Sequence, residues 1–468
     1  MTEPATRTTP SGVDRRDRTS ALVVGSLGVF VALTAFTTSL ADAPTLGRAL
    51  QAGPSAQIWI LSSMSVGLAA SLLVVGVLAD DRGRRAVFVG GALLLAAGSV
   101  LCAAAQEPVA FVLGRVVEGV GGAALIATSL AMTSFFFPTP AERATAGAVW
   151  GASVSAGIAT GPFLPGLLDA SVSWRAPYVV LAVLGVAVAL AGTRLRETYA
   201  DHRRALDLPG ALTFGATMVV LLVALVESRG SSHVAWPVGL LVLAVVLAVA
   251  FVLVERRREH PMLDLALFAR PDFTATHVAG LATGTGVIAV MSYSASHLTN
   301  ALGASTLVAA GALAAWSVPS TVFALLARRL PSWLGGLRQL ALGLAICTLG
   351  QLVLAATAAS TSVWWILPGY VVAGVGTGFL NAGLGREAVA TAPPGRGGLG
   401  SGVNNTARYL GSAIGVTVVG LVATAFADPV DGWRTAGLIT AATSAIGAVV
   451  VLGLAASSVR RARRGAPA

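Results

Sequence analysis

The feature of this sequence that most restricts its fold is a succession of long apolar segments separated by short loops. A helix crosses the apolar core of a bilayer with about 20 residues. Fourteen segments are of spanning length, and they lie at 20–41, 57–79, 86–105, 108–133, 146–168, 176–193, 208–228, 234–254, 273–298, 303–326, 337–357, 362–386, 399–425 and 434–456. Because backbone groups in lipid need partners within their own segment, the pattern predicts an all-α polytopic membrane protein with 14 transmembrane helices.

The composition agrees with a membrane protein. Charged residues make up 11% of the 468 and hydrophobic residues 55%, whereas soluble domains carry about 25% charged residues. The net charge of +10 comes from arginine alone, since the chain has no lysine. These arginines lie in short loops and not on one face of a soluble domain, so we expect no nucleic-acid partner. Cys102 and Cys347 lie within apolar segments and are predicted to be buried thiols.

The placement of arginine predicts the orientation. Alternate loops are arginine-rich, at 80–85, 141–143, 194–204, 255–260, 327–338, 385–396 and 460–464, and so is the N-terminal tail. The intervening loops carry at most one arginine each, and those that have one contain Arg48, Arg175, Arg229 or Arg434. Cytoplasmic loops are the arginine-rich ones, which predicts two cytoplasmic termini in a multi-pass protein of the cell (plasma) membrane. We expect the last tail to contact anionic membrane lipid.

Two motifs recur at nearly the same spacing. GRVVEGVGGA (114–123) is similar to GYVVAGVGTG (369–378), 255 residues later, and Gly157, Gly161 and Gly166 recur as Gly411, Gly415 and Gly420, 254 residues later. The repeat predicts two six-helix bundles related as parallel repeats, with the substrate between them and alternating access. The predicted parts are a cytoplasmic tail (1–19), an N-terminal bundle (20–198), loops with two inserted transmembrane helices (199–271), a C-terminal bundle (272–457) and a cytoplasmic tail (458–468).

The loop GVLADDRGRR (76–85) resembles the signature loop of the major facilitator superfamily. The matching residues are Gly76, Leu78, Asp80, Gly83, Arg84 and Arg85, and Asp81 replaces a common basic residue. An acid at the end of a helix can accept hydrogen bonds from the N-terminus of a neighbouring helix, and the arginines can form ion pairs. We therefore interpret this loop as a conformational switch that holds one state closed.

Further motifs resemble the fourteen-span drug:proton antiporter branch. GRVVEGVGGA is similar to its fourth-span motif, with Glu118 where Gln is common, and SWR (173–175), HPMLDLALF (260–268) and GVNNTARYLGSAIG (402–415) also match. GIATGPFLPG (157–166) resembles the fifth-span antiporter motif of exporters through Gly157, Gly161, Pro162 and Gly166. The resemblance implies a monomeric multidrug efflux transporter with a role in antibiotic resistance.

Arg115 and Glu118 place opposite charges within a span. Glu118 is ten residues beyond Pro108, about 15 Å into a core of roughly 30 Å. One interpretation is an i,i+3 ion pair that only stabilises the helix. The second copy of the motif has Tyr370 and Ala373 there, so the scaffold does not require the charges. Intramembrane charges are commonly functional, and our hypothesis is that Glu118 exchanges a proton under the control of Arg115.

The first span lacks the acid that the branch usually carries. The stretch VALTAFTTSLADAP (31–44) has Thr34, Thr37 and Thr38 there, and Asp42 lies at its outer edge, where we expect solvation. Proton coupling is therefore assigned to Glu118, Arg115 and Asp42 only as a hypothesis. Other candidate cavity residues are the three threonines, Tyr293, Asn404, Asn405 and Arg408, although Arg408 could equally snorkel or pack between helices.

These observations favour a secondary active transporter that exports small hydrophobic or amphipathic compounds, such as drugs, antibiotics or natural products, by proton antiport. An uncoupled facilitator or uptake carrier is the alternative, favoured by the missing first-span acid and opposed by the fifth-span motif. A non-transporting receptor or scaffold is a less favoured alternative, because it would need an extramembrane domain or binding loop and every loop is short. No phosphate-binding loop, catalytic cluster or metal cluster is found, so we predict no enzyme activity and no cofactor.

Overall fold

Long helices account for nearly the whole described chain. The computed structural model describes residues 14–137, 139–168, 171–200, 207–230, 234–300, 302–359 and 362–465. Its α-helices are α1 (Arg15–Ala49), α2 (Pro54–Arg82), α3 (Arg84–Ala104), α4 (Pro108–Phe136), α5 (Pro140–Thr160), α6 (Phe163–Leu168), α7 (Ala176–Gly192), α8 (Leu208–Gly230), α9 (Ala235–Arg257), α10 (Pro271–Ala282), α11 (Ala289–Asn300), α12 (Thr306–Leu326), α13 (Leu337–Ala356), α14 (Leu367–Thr391), α15 (Gly397–Ala425) and α16 (Pro429–Gly465). A π-helix, Thr283–Ile288, joins α10 to α11.

Local sequence explains where several helices begin and end. Proline stands at the first or second position of α2, α4, α5, α7, α10 and α14, where its missing N–H removes no helical hydrogen bond. Gly83 separates α2 from α3 at φ +123°, a conformation that glycine adopts readily. The fifth predicted span is interrupted, because α5 ends at Thr160 and the short α6 follows the turn at Gly161 and Pro162.

In the described residues, twelve stretches are long and apolar enough to cross a membrane. The shorter apolar helix Ala176–Gly192 and the helix α5 are not among the twelve. The prediction of an all-helical membrane bundle is confirmed, while the count of fourteen spans stays a prediction. Both cysteines are buried free thiols, as predicted.

The two largest hydrophobic cores lie in separate parts of the chain. One contains mostly residues of α1 to α7 (the N-terminal bundle), and the other contains only residues of α10 to α16 and their connections (the C-terminal bundle). In the first, α4 packs between α2 and α3; in the second, α14 packs between α12 and α13. We refer to the end of the molecule where α2 ends and α15 begins as the arginine-rich end.

Glycines of the repeated motif make corresponding contacts in the two bundles. A Cβ on Gly119 would overlap the carbonyl of Met64 in α2, and a Cβ on Gly374 would overlap that of Trp316 in α12. Met64 and Trp316 are 252 residues apart, close to the spacing of the motif itself. Small residues permit such close approach of membrane helices, so the repeated glycines are explained by repeated helix crossings.

The two inserted helices lie beside the contact between the bundles. Helix α8 packs against α2 of one bundle and α15 of the other. Trp59 donates a hydrogen bond to Glu227 (2.8 Å), and Arg229 donates one to Ser62 (2.8 Å). On the other side, Thr417 of α15 donates to the Leu225 carbonyl at 3.3 Å. Helix α8 is therefore bound to both bundles beside the contact between α2 and α15, which we call the seam. Helix α9 packs mainly on α8.

Substitution of Gly119 by alanine tests the close crossing of α2 and α4. The added methyl meets backbone atoms of Met64 and Gly67, and such overpacking costs about 1–3 kcal/mol. We expect G119A to lower the melting temperature of the detergent-solubilised protein. G90A is the matched control, because a Cβ on Gly90 has no neighbour within 4 Å. Equal melting temperatures for the two variants would contradict the assigned contact.

Candidate functional site

A buried carboxylate joins the two bundles at the arginine-rich end. Asp80, in the last turn of α2, is fully buried. Its Oδ1 accepts a hydrogen bond from the N–H of Gly398 (3.1 Å), and its Oδ2 accepts one from the N–H of Leu399 (3.0 Å), both in the first turn of α15. The first N–H groups of a helix lack helical partners and carry partial positive charge. Asp80 therefore binds the start of a helix that belongs to the other bundle.

Two arginines complete this contact. The Arg84 guanidinium pairs with Asp80 at 2.8 Å and donates to the Gly395 carbonyl at 2.7 Å, so Arg84 also reaches across the seam. Asp81 pairs with Arg396 at 3.1 Å. The role of Asp81 was not predicted from the sequence, although Asp81 departs from the family pattern at this position. We call the set Asp80, Asp81, Arg84 and Arg396 the seam cluster.

The remaining residues of the signature loop shape its surroundings. Gly76 lies against the Gly398 backbone so closely that a Cβ there would overlap its carbonyl. The Arg85 N–H donates to Glu197 Oε1 (2.8 Å), and the Arg85 side chain, which is 42% exposed, pairs with the same carboxylate at 3.5 Å. Glu197 thus caps α3 as Asp80 caps α15, and this acid was also missed from the sequence.

A second buried ion pair lies inside the N-terminal bundle. Arg115 and Glu118 of α4 are both 0% exposed and pair at 2.5 Å. Arg115 also donates to the carbonyls of Ala35 (2.9 Å) and Phe36 (3.3 Å) in α1 and to the Ser39 hydroxyl (2.9 Å). The arginine therefore ties α4 to α1, a structural role that the sequence interpretation did not include.

Ser99 of α3 completes the environment of Glu118. Its hydroxyl lies 2.5 Å from Glu118 Oε1 and 2.9 Å from the Leu95 carbonyl oxygen. A serine hydroxyl has one proton to donate, so it cannot donate to both oxygens at once. If Glu118 carries a proton, Glu118 can donate to Ser99 while Ser99 donates to Leu95. The geometry therefore suits the ionised and the neutral carboxyl equally.

Asp42 requires a correction. We expected it to be solvated at the outer edge of the first span, but it is 1% exposed. Helix α1 continues through Pro44 to Ala49, so Asp42 lies on a packed helix and not in a loop. It interacts electrostatically with Tyr178 of α7, which also interacts with Arg115 and Glu118. All three residues of the proposed proton site are thus buried, and Tyr178 lies within electrostatic range of each.

The fifth-span motif packs α5 on α1. Gly157 lies against the Phe30 backbone, and Gly161 lies against the Thr34 carbonyl and the Thr37 hydroxyl. Thr37 donates to the Ile158 carbonyl of α5 at 3.2 Å. Pro162 follows in the turn that separates α5 from α6, and Gly166 belongs to α6. The motif therefore forms a close crossing followed by a break in the helix.

The other candidate cavity residues have varied surroundings. The hydroxyls of Thr34 and Thr38 donate to carbonyls of their own helix, and Tyr293 stacks on Trp433 with ring centroids 5.9 Å apart. Asn404 donates to the Thr276 carbonyl of α10 (2.9 Å) and Asn405 to the Ser401 carbonyl (3.0 Å). Arg408 is buried at 4% exposure. Their role in lining a cavity stays a prediction.

Two bundles of membrane-spanning helices, joined by a polar cluster at one end, define a transporter of the alternating-access class. The chain belongs to the Major Facilitator Superfamily, whose family model matches residues 25–416. It is 29% identical over 411 residues to the multidrug resistance protein Stp of Mycobacterium tuberculosis, which covers 86% of this chain and 76% of Stp. It is 31% identical over 391 residues to a probable actinorhodin transporter of Streptomyces coelicolor, covering 81% and 68% of the two chains.

A solved structure shares the fold. The proton:xylose symporter XylE superposes with a TM-score of 0.69 at 15% identity, covering 94% of this chain and 96% of that one. The family and its relatives confirm a multi-pass transporter of the plasma membrane, and they confirm that the chain is not an enzyme. The assignment to the fourteen-span branch stays a prediction.

Replacement of Asp80 by asparagine tests the seam cluster. Asn keeps the size but removes the charge that Arg84 and the α15 N–H groups bind, and each hydrogen bond to a charged group is worth about 1.5–3 kcal/mol. We expect D80N to separate the bundles at the arginine-rich end. Spin labels at Ala141 and Trp333, in a background without the two native cysteines, should show longer distances by electron–electron double resonance. D431N, which changes an exposed acid of α16, is the control; a D80N distribution identical to wild type would refute the expectation.

Replacement of Arg115 tests whether the α4 pair is structural. In R115Q the Glu118 carboxylate stays buried without its cation, which costs about 3–5 kcal/mol. We expect a large fall in melting temperature for R115Q and a partial recovery in the double variant R115Q/E118Q. The recovery should be incomplete, because the bonds from Arg115 to α1 are also lost. A double variant as unstable as R115Q would show that the ion pair contributes little.

Proposed function

We propose that this protein exports hydrophobic or amphipathic small molecules, including drugs, antibiotics or natural products, from the cytoplasm. Two relatives carry the names of a multidrug resistance protein and an actinorhodin transporter. The fifth-span motif, which is typical of exporters, packs α5 on α1 through Gly157 and Gly161. Both observations support export over uptake.

The observation that carries the transport mechanism is the seam cluster. It joins α2 of one bundle to α15 of the other, and the hydrogen bonds that cross between the bundles exist only while the bundles meet at the arginine-rich end. That end is cytoplasmic in our topology of fourteen spans with both termini inside. The cluster therefore acts as a latch on a state closed to the cytoplasm, and alternating access requires that it break in each cycle.

We further propose that the export is proton antiport and that Glu118 carries the proton. The support is local: Glu118 is fully buried, Arg115 neutralises it, and Ser99 can partner either protonation state. Arg115 is bonded to α1, so a movement of α1 relative to α4 changes the distance between Arg115 and Glu118. The protonation of Glu118 is then coupled to the arrangement of the helices.

The alternative is an uncoupled facilitator. One observation favours it. In the middle of α1, where the branch usually has an acid, there are threonines whose hydroxyls bond to the backbone, so no carboxyl group is there to carry a proton. The two mechanisms differ in their response to a pH gradient, because only an antiporter concentrates its substrate against a gradient when protons flow the other way.

Proteoliposomes that contain E118Q distinguish them. We expect wild-type protein to drive uptake of a fluorescent dye into proteoliposomes with an imposed pH gradient, and a protonophore to abolish it. E118Q should lose this driven uptake by at least about tenfold, which corresponds to 1.4 kcal/mol, but should keep downhill exchange. E107Q changes an exposed acid just before α4 and should behave as wild type. Full proton-driven uptake by E118Q would refute the role of Glu118, and wild-type uptake indifferent to the gradient would favour the facilitator.

A further inference from the structure

Arg408 of α15 is a cation in the middle of the bundle. It is the twelfth residue of Gly397–Ala425, about 17 Å along the helix from its start, and only 4% of its surface is exposed. The apolar core of a bilayer is roughly 30 Å thick. The guanidinium therefore lies too deep to reach water at either surface by snorkelling.

The described part of the chain gives this cation no counter-charge. The other deeply buried arginines each pair with a carboxylate: Arg84 with Asp80, Arg115 with Glu118 and Arg396 with Asp81. No ion pair involving Arg408 exists among the described residues, and its Nε has no hydrogen-bond partner there. Its sequence neighbour Tyr409 carries a phenol, whose ordinary pKa of about 10 leaves it neutral at physiological pH. A charge at this depth is costly unless it meets a partner.

Polar residues flank Arg408 on a helix that is packed against its neighbours. Asn405 lies about one turn before it and Ser412 about one turn after it, and both are buried. Asn404 anchors this part of α15 to α10 through the Thr276 carbonyl. The arginine is thus held in place on a packed helix, which is the condition for a preorganised binding group.

A π-helix lies against the part of α15 that contains Arg408. The π-helix Thr283–Ile288 packs on α15 where Arg408 is, and a Cβ on Gly284 would overlap the Arg408 carbonyl. Single π-helical turns occur frequently at functional sites. Helix α15 also contacts α2 and α4 of the other bundle, so Arg408 belongs to the helix that forms the seam.

We propose that Arg408 binds the anionic group, a carboxylate or a phenolate, of an amphipathic organic acid carried between the two bundles. This inference rests on the proposed export function and names a substrate class for it. A guanidinium presents paired N–H donors that match an oxyanion, and in a low-dielectric site the pairing is stronger than in water. The bound anion would supply the counter-charge that the described protein does not.

Two xanthene dyes of opposite charge test the proposal. Fluorescein is anionic and rhodamine 123 is cationic, while their ring systems are alike. Binding to the purified full-length protein is measured by fluorescence anisotropy, and export is measured in inverted vesicles. The variants are R408M, which removes the charge, R408K, which keeps the charge without the planar fork, and R434M, which changes an exposed arginine of α16 as a control.

We expect R408M to weaken fluorescein binding at least about tenfold, the change expected for the loss of one charge-assisted contact, and to lower fluorescein export more than rhodamine 123 export. R408K should be intermediate, and R434M should match wild type. The melting temperature of ligand-free R408M should not fall and should rise by a few degrees, because an unpaired buried charge is removed. If Arg408 were needed only for folding, the melting temperature of R408M would fall.

Several results would overturn the proposal. Fluorescein binding by R408M as tight as by wild type would do so, and so would a lower melting temperature with equal loss of both dyes. If wild-type protein exports rhodamine 123 but does not bind fluorescein, the anion site is refuted and export stands. If wild-type protein exports neither dye, the export proposal fails, and the anisotropy measurements on wild type and R408M still decide the role of Arg408.

Discussion

The fold depends on how a few buried charges are satisfied where water is scarce. Asp80 is fully buried, and its partners come from a helix start and from an arginine, which together supply both positive charge and donors. Neither bundle holds this arrangement alone, because the helix start belongs to the C-terminal bundle and the arginine to the N-terminal one. The relative position of the two bundles at this end therefore depends on how this carboxylate is satisfied.

Much of this architecture could be predicted from the sequence, since apolar segments of spanning length and their flanking arginines are one-dimensional signals. The role of Asp80 as an acceptor for a helix N-terminus followed from its place at a helix end. Hydrogen bonds between residues far apart in the sequence could not be predicted, because they depend on how the helices pack. The bonds from Arg115 to the carbonyls of Ala35 and Phe36 are an example. Asp42 was wrongly expected to be solvated because it lies just beyond the apolar segment 20–41, whereas α1 continues to Ala49 and buries it.

The two bundles share a backbone scaffold but differ in the polar groups they carry. Where the N-terminal bundle has Arg115 and Glu118, the C-terminal bundle has Tyr370 and Ala373, and Tyr370 packs beside Trp316 with ring centroids 5.8 Å apart. Repeated glycines preserve the helix crossings in both. Charge is thus free to differ between the copies without disturbing the packing. One scaffold therefore accommodates a paired acid in one half and, in the other, a cation without a carboxylate partner among the described residues.

The docking of α8 has a consequence for molecules dissolved in the bilayer. The repeat relates the α2–α15 contact to the contact between α5 and α12, so a strictly symmetric bundle would present two equivalent lateral faces to lipid. Helix α8 covers the first of these, bound through Glu227, Arg229 and the Leu225 carbonyl. Within the described residues, no helix from outside the two bundles covers the second. The insertion therefore removes the pseudo-twofold equivalence, and a lipophilic compound that approaches from within one leaflet meets two chemically different walls.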